Sequence, residues 1–280
     1  MMDVKLQRML KENTWFLASF VLLLLFLLYT AIFSSGILLN LTLRADQWLL
    51  HRPLTSVDCV FRQWKTLGDP PFSAFLTVVL GGVCLWLGYR KRVLPYIVLL
   101  LVLGLSVEYV GKQIFSQPLP YSLGYGMSTL SCPQVLRQPR SVRLMVMMGM
   151  WWEARPVSAK AIGKEQYSAT APLTLDDANP DNGYPSGHAI RWSFLGIVAG
   201  WLCWRHVKRR FLRRLLIAIA LSIAFAGGLI MFYIGLHLLT DITAGYLFGA
   251  SMACAAIALL SRNVGARLIA PPEKVIHTSL

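Results

Sequence analysis

The chain has 280 residues, of which 56% are apolar and 14% charged, with a formal net charge of +14 and a mean hydropathy of +0.55. A soluble domain is nearer a quarter charged and a disordered chain is polar and charge-rich, so both classes are excluded. Five scattered cysteines exclude a disulfide scaffold, and a polytopic helical membrane protein remains.

A helix needs about 20 apolar residues to cross a bilayer, and six stretches meet or approach that length. The first lies within residues 15–43, with no charge between Glu12 and Arg44. Lys5, Arg8 and Lys11 precede it, as in a secretory signal. Its apolar run is longer than the roughly 7–15 residues of a signal core, so it reads as a retained span. The second runs over about residues 71–89 and is followed by Arg90, Lys91 and Arg92. The third, residues 93–110, carries Glu108 near its end. The fourth, residues 189–204, contains Arg191 and is the least apolar. The fifth (215–236) follows a basic cluster from Arg205 to Arg214, and the sixth covers 242–260.

Six spans place both termini on one side. That side holds 15 Lys and Arg in short loops and termini, against 11 in the longer opposite loops. Basic residues favour the cytoplasmic side of short loops, so both termini are expected in the cytoplasm. The same clustering gives the net charge a topological meaning and argues against nucleic-acid binding. The chain reads as a single integral membrane domain, 1–280, with an extracytoplasmic insert at 112–185. Pro118, Pro120, Pro133, Pro139 and Pro156 exclude one long helix there, and Asp176 to Gly183 (DDANPDNG) reads as turns. Arg137, Arg140, Arg143 and Arg155 lie in the same insert.

Ionisable groups in or beside spans are costly and mark functional sites. The topology gathers Lys112, His188, His237 and Asp241 at the outer face, with Glu108 one helical turn from Lys112. Asp241 follows His237 by four residues, so in a helix the two share a face. A carboxylate on one imidazole nitrogen fixes the tautomer and leaves the other as nucleophile or base. His188 offers a second imidazole suited to a general acid, and Lys112 a cation for an anionic substrate. Ser186 and Gly187 enter the fourth span, where free N–H groups bind anions. Nucleophile, acid, cation and N–H cradle together describe phosphoryl transfer. Glu108 and Lys112 read as a structural pair, and Gly196 with Gly200 as close packing within the bundle.

Tyr184-Pro185-Ser186-Gly187-His188-Ala189 resembles the PSGH signature of the type 2 phosphatidic acid phosphatase (PAP2) superfamily. Tyr233 to Asp241 resembles the family's third motif, ending in H-x-x-x-D, and Lys112 with Pro120 resembles its first. The resemblance covers about residues 100–249. It implies an all-α membrane protein with six transmembrane helices and a PAP2-like core. It further implies that His237 forms a phosphohistidine, Asp241 orients it, and His188 protonates the leaving group. Lys112, Ser186 and Gly187 would hold the phosphate oxygens, with no metal or other cofactor.

Two departures stand out. Leu119 occupies the place of the arginine before Pro120, and Met231 that of the third-motif arginine. Three readings are open. Other cations, Arg191 among them, replace the arginines. Alternatively the substrate is a phosphodiester with less charge at phosphorus, as in lipid head-group transfer. Or catalysis has been lost. The expected function is therefore a lipid phosphatase acting on a lipid phosphate or isoprenyl pyrophosphate at the outer leaflet of the inner membrane. The alternatives are a phosphotransferase between lipids, a silent PAP2-like protein, and a lipid transporter. The expected partners are the bilayer and a phosphorylated lipid.

Overall fold

The computed structural model describes residues 2–38, 61, 65–115, 183–234 and 236–265. Most of the insert, with Leu119, Pro120 and the arginines at 137, 140, 143 and 155, lies outside the described residues. Six α-helices are described, and no strand occurs among the described residues.

Helix α1 spans Met2–Ser34. The apolar run continues to residue 43, but the helix stops earlier. Gly36 takes a left-handed conformation (φ +77°) and donates its N–H to the Phe33 carbonyl at 3.0 Å. A glycine in that region closes a helix without the steric penalty other residues meet.

Helix α2, Pro70–Trp86, begins behind Asp69, which holds extended backbone. Pro70 and Pro71 occupy the first turn, where a missing N–H costs nothing. Its far end is closed by Gly88 (φ +86°): the Tyr89 N–H reaches the Cys84 carbonyl and the Gly88 N–H the Leu85 carbonyl. That is the double bond pattern of a glycine-terminated helix. The 17 residues of α2 extend about 26 Å, a little short of the roughly 30 Å hydrocarbon core.

Helix α3 is Val93–Ile114, α4 Gly187–His206, α5 Arg210–Tyr233 and α6 Leu239–Gly265. Four helices are long and apolar enough to cross a membrane unaided: α1 from Asn13, α3, α5 and α6. Their outward faces carry Leu17, Phe20, Leu28, Leu99, Val102, Phe211 and Phe225, all exposed. Such continuous apolar exposure suits lipid rather than water.

The least apolar stretch, α4, is the centre of the bundle. It packs along α5 and α6 and also touches α2 and α3. Nearly every residue of its first half is buried, Arg191 included. A charge is tolerated in a membrane helix when it faces protein and finds a partner, and Arg191 does both. Close approach explains Gly196 but not Gly200, where a Cβ would meet only ordinary contacts at 3.9 Å. A Cβ on Gly196 would stand 2.5 Å from the Ala224 Cβ of α5, so Gly196 serves packing inside the bundle as its spacing suggests. Helix α1 completes the core against α6: Ser251 Oγ donates to the Ser19 carbonyl at 2.8 Å, and the Phe26 and Phe248 rings lie 5.0 Å apart.

Candidate active site

The helices alternate in direction, so one end of the bundle collects the end of α1, the start of α2, the end of α3, the start of α4 and the α5–α6 junction. The basic clusters at Arg90–Arg92 and Arg209–Arg214 sit at the other ends of these helices. The site residues singled out by sequence all belong to the first end.

The signature turn before α4 is held from two sides. Tyr184 is fully buried, stacked on Phe33 (4.2 Å, 4° between planes) and edge-on to Phe115 (5.1 Å). Thr30 donates to the Phe26 carbonyl at 2.8 Å, so the Tyr184 hydroxyl donates to Thr30 Oγ1 at 2.7 Å. Burial raises the Tyr184 phenol well above its ordinary range, keeping it a neutral donor. On the other side, the Ser186 N–H donates to the Asp241 carbonyl at 3.0 Å, tying the PSGH turn to the H-x-x-x-D turn. Ser186 also caps α4, its hydroxyl accepting from the Ala189 N–H at 3.5 Å.

His237 and Asp241 meet, but not on a helix. Helix α6 starts at Leu239, so His237 lies in the junction before it. The turn brings His237 Nδ1 to 3.4 Å from Asp241 Oδ2. That oxygen also accepts the Leu238 N–H at 3.0 Å, which fixes the carboxylate. His237 Nδ1 is buried and makes no hydrogen bond among the described residues. The backbone N–H groups of Leu236 and His237 both donate to the Met231 carbonyl, at 2.9 and 3.3 Å. The Met231 side chain is buried beside Ile234 in a small apolar cluster. Where the family motif has a charged side chain, this chain has packing.

Lys112, Gly187 and Arg191 converge on Glu108. Lys112 Nζ donates to Glu108 Oε1 at 2.8 Å, and an Arg191 terminal nitrogen donates to Glu108 Oε2. A Cβ added to Gly187 would stand 1.9 Å from the Glu108 carboxyl carbon. Arg191 Nε donates to the Gly68 carbonyl at 2.9 Å, and the Arg191 side chain is 2% exposed. The pairing of Glu108 with Lys112 follows the sequence spacing, whereas Arg191 completing it does not.

Sequence reasoning missed Asp69. Its Oδ1 lies 3.7 Å from His188 Nε2, and it makes no side-chain capping bond to α2. Gly68 lies so close beneath the ring that a Cβ there would be 2.0 Å from His188 Cδ2. A signal existed: aspartate before two prolines marks a helix start, and alternation of the spans puts that start at the same end as the two motifs.

Two apolar cavities run along the bundle from this end. One of about 380 Å³ lies between α2, α4 and α5, lined by Leu80, Val83, Trp192, Leu216 and Ile223 among others. A second, about 90 Å³, shares Trp192 and Ile223 and reaches Leu67 and Met231, beside the site.

Fold and site together define a membrane-embedded helical bundle with two histidine–carboxylate pairs at one end. The PAP2 superfamily model matches residues 92–264, more than half of the chain, and the chain belongs to that superfamily. Among solved structures it is similar to a transmembrane PAP2-type phosphatidylglycerolphosphate phosphatase from Bacillus subtilis. The two share 17% identity, with a TM-score of 0.57 over 87% of this chain and 96% of that one. That likeness is one of fold. No curated protein matches the sequence.

Proposed function

We propose that the protein is a lipid phosphatase that removes phosphate from a lipid phosphate or isoprenyl pyrophosphate at the outer leaflet of the inner membrane. Both termini then face the cytoplasm, in line with the basic clusters at the opposite end. The observation that carries this reading is the Ser186 N–H bond to the Asp241 carbonyl. It ties the turn that bears His188 to the turn that bears His237.

His237 Nδ1 faces Asp241, so Nε2 is the attacking nitrogen. It forms a bond to phosphorus as the bond from phosphorus to the leaving oxygen breaks. His188 gives its proton to that oxygen and later takes one from the water that cleaves the phosphohistidine. Inorganic phosphate leaves and both imidazoles return to their starting states. Asp69 would hold the His188 ring as Asp241 holds His237. The Gly187 N–H and the Ser186 hydroxyl, with Lys112 and Arg191, would take the phosphate oxygens. The lipid chain would lie in the apolar cavities along Trp192, which suits their lining.

One observation favours a second reading. Met231 is packed in an apolar cluster and adds no cation, so a phosphodiester head group, with one charge at phosphorus, also suits the site. The test is phosphate release by the purified protein in detergent from a panel of lipid monophosphates and pyrophosphates, with His237→Ala as control. Release that the substitution abolishes supports the phosphatase. Absence of release from every lipid, with transfer to a lipid acceptor instead, supports the second reading.

A further inference from the structure

Taking this end of the bundle as the phosphate-binding centre of the reading above, we propose that Glu108 is a resident anion that competes with the substrate's phosphoryl group for Lys112 and Arg191. It thereby sets how much negative charge at phosphorus the site accepts.

The geometry carries this. Three of the residues expected to bind phosphate converge on a single carboxylate. Lys112 Nζ donates to one Glu108 oxygen at 2.8 Å, Arg191 donates to the other, and the carboxyl carbon rests on the bare Cα of Gly187. Gly187 opens α4, so the carboxylate sits at the positive end of a helix, where an oxyanion is favoured. Two cations, a helix N-terminus and a glycine that leaves room for it surround Glu108 as they would surround a phosphoryl oxygen pair.

The cations are also placed to change partners. Arg191 stays anchored through its Nε bond to the Gly68 carbonyl when its terminal nitrogen is given up. The Lys112 side chain is 35% exposed, so its ammonium has room to move. A Glu108 carboxylate 14% exposed on the outer-facing end is open to displacement. While Glu108 holds them, Lys112 and Arg191 present one net positive charge. Freed of its charge they present two, and the attraction for a dianion grows more than that for a monoanion.

The test compares two small anions whose charges do not change near neutral pH: inorganic sulfate, a dianion, and dimethyl phosphate, a monoanion. Binding to the full chain in detergent is read by thermal stabilisation for the wild type and Glu108→Gln. The expected result is at least tenfold tighter sulfate binding in Glu108→Gln, with a smaller change for dimethyl phosphate. Sulfate binding that is unchanged, weaker, or undetectable in both proteins overturns the proposal. Should Glu108→Gln fail to fold, Glu108→Asp keeps the charge but shortens the arm by one methylene. It then reaches only one cation, so sulfate is expected to bind tighter, and weaker binding overturns the proposal. Neither measurement uses turnover. A sulfate shift in a protein that releases no phosphate from any lipid counts against the hydrolytic reading alone.

Discussion

Asp69 Oδ1 lies 3.7 Å from His188 Nε2, across a contact between the start of α2 and the start of α4. Each of the two site histidines therefore faces its own carboxylate, and the two carboxylates come from different helices. Asp69→Asn keeps the shape and removes the charge. It is expected to lower kcat about tenfold, less than the roughly 10²–10⁴ of a lost general acid because the His188 imidazole itself remains, while KM holds. Steady-state kinetics on a lipid phosphate check this, and a rise in KM with kcat intact would assign Asp69 to substrate binding instead.

His237→Ala is expected to abolish turnover. Wild-type protein incubated with lipid labelled at its phosphate and quenched in alkaline detergent should retain label in acid-labile, base-stable form, and His237→Ala should retain none. His188→Ala is expected to slow turnover by about 10²–10⁴, the usual range for a lost general acid. Label trapped to the same extent in His237→Ala would exclude His237 as the nucleophile.

Gly187→Ala places a methyl group 1.9 Å from the Glu108 carboxyl carbon. The carboxylate must move, and forced overpacking costs about 1–3 kcal/mol. The expected outcome is a lower unfolding temperature and activity reduced more than tenfold. Gly187→Ala with full activity would show that Glu108 moves freely.

Arg191→Ala removes one partner of a buried pair. Glu108 keeps Lys112 but loses the partner of its second oxygen, so the cost is expected below the roughly 3–5 kcal/mol of a wholly uncompensated buried charge, read as a drop in unfolding temperature in detergent. Adding Glu108→Ala in the same chain should restore part of it, because the half-paired carboxylate is then gone. Strict additivity of the two substitutions would mean that the pair is not coupled.

The bundle was legible in the sequence because hydrocarbon thickness imposes its own length on apolar runs. The end of α1 was less so, since Gly36 closes the helix inside a run that stays apolar. The site motifs were legible where the chemistry is local. PSGH and H-x-x-x-D each sit on one turn, and Lys112 lies one helical turn from Glu108. Where contacts join distant segments, spacing carries no signal. Arg191 and Gly68 are 123 residues apart, and Asp69 reaches His188 only because α2 packs on α4. The four-residue spacing of His237 and Asp241 brought the right pair together for a different reason: a capped turn rather than a helical face.

The bond from Tyr184 to Thr30 has a consequence for anyone wishing to transplant this chemistry. The motifs proposed to act on phosphate all fall within residues 92–264, yet the wall behind the signature turn, Thr30 and Phe33, belongs to the first helix. A trimmed chain beginning after α1 would keep both histidines and their carboxylates and lose the hydrogen bond and ring stack that seat Tyr184. Those contacts are worth about 1 kcal/mol for the bond and 0.5–1.5 kcal/mol, roughly, for the stack. A minimal scaffold for this reaction therefore includes a helix that carries none of its chemistry.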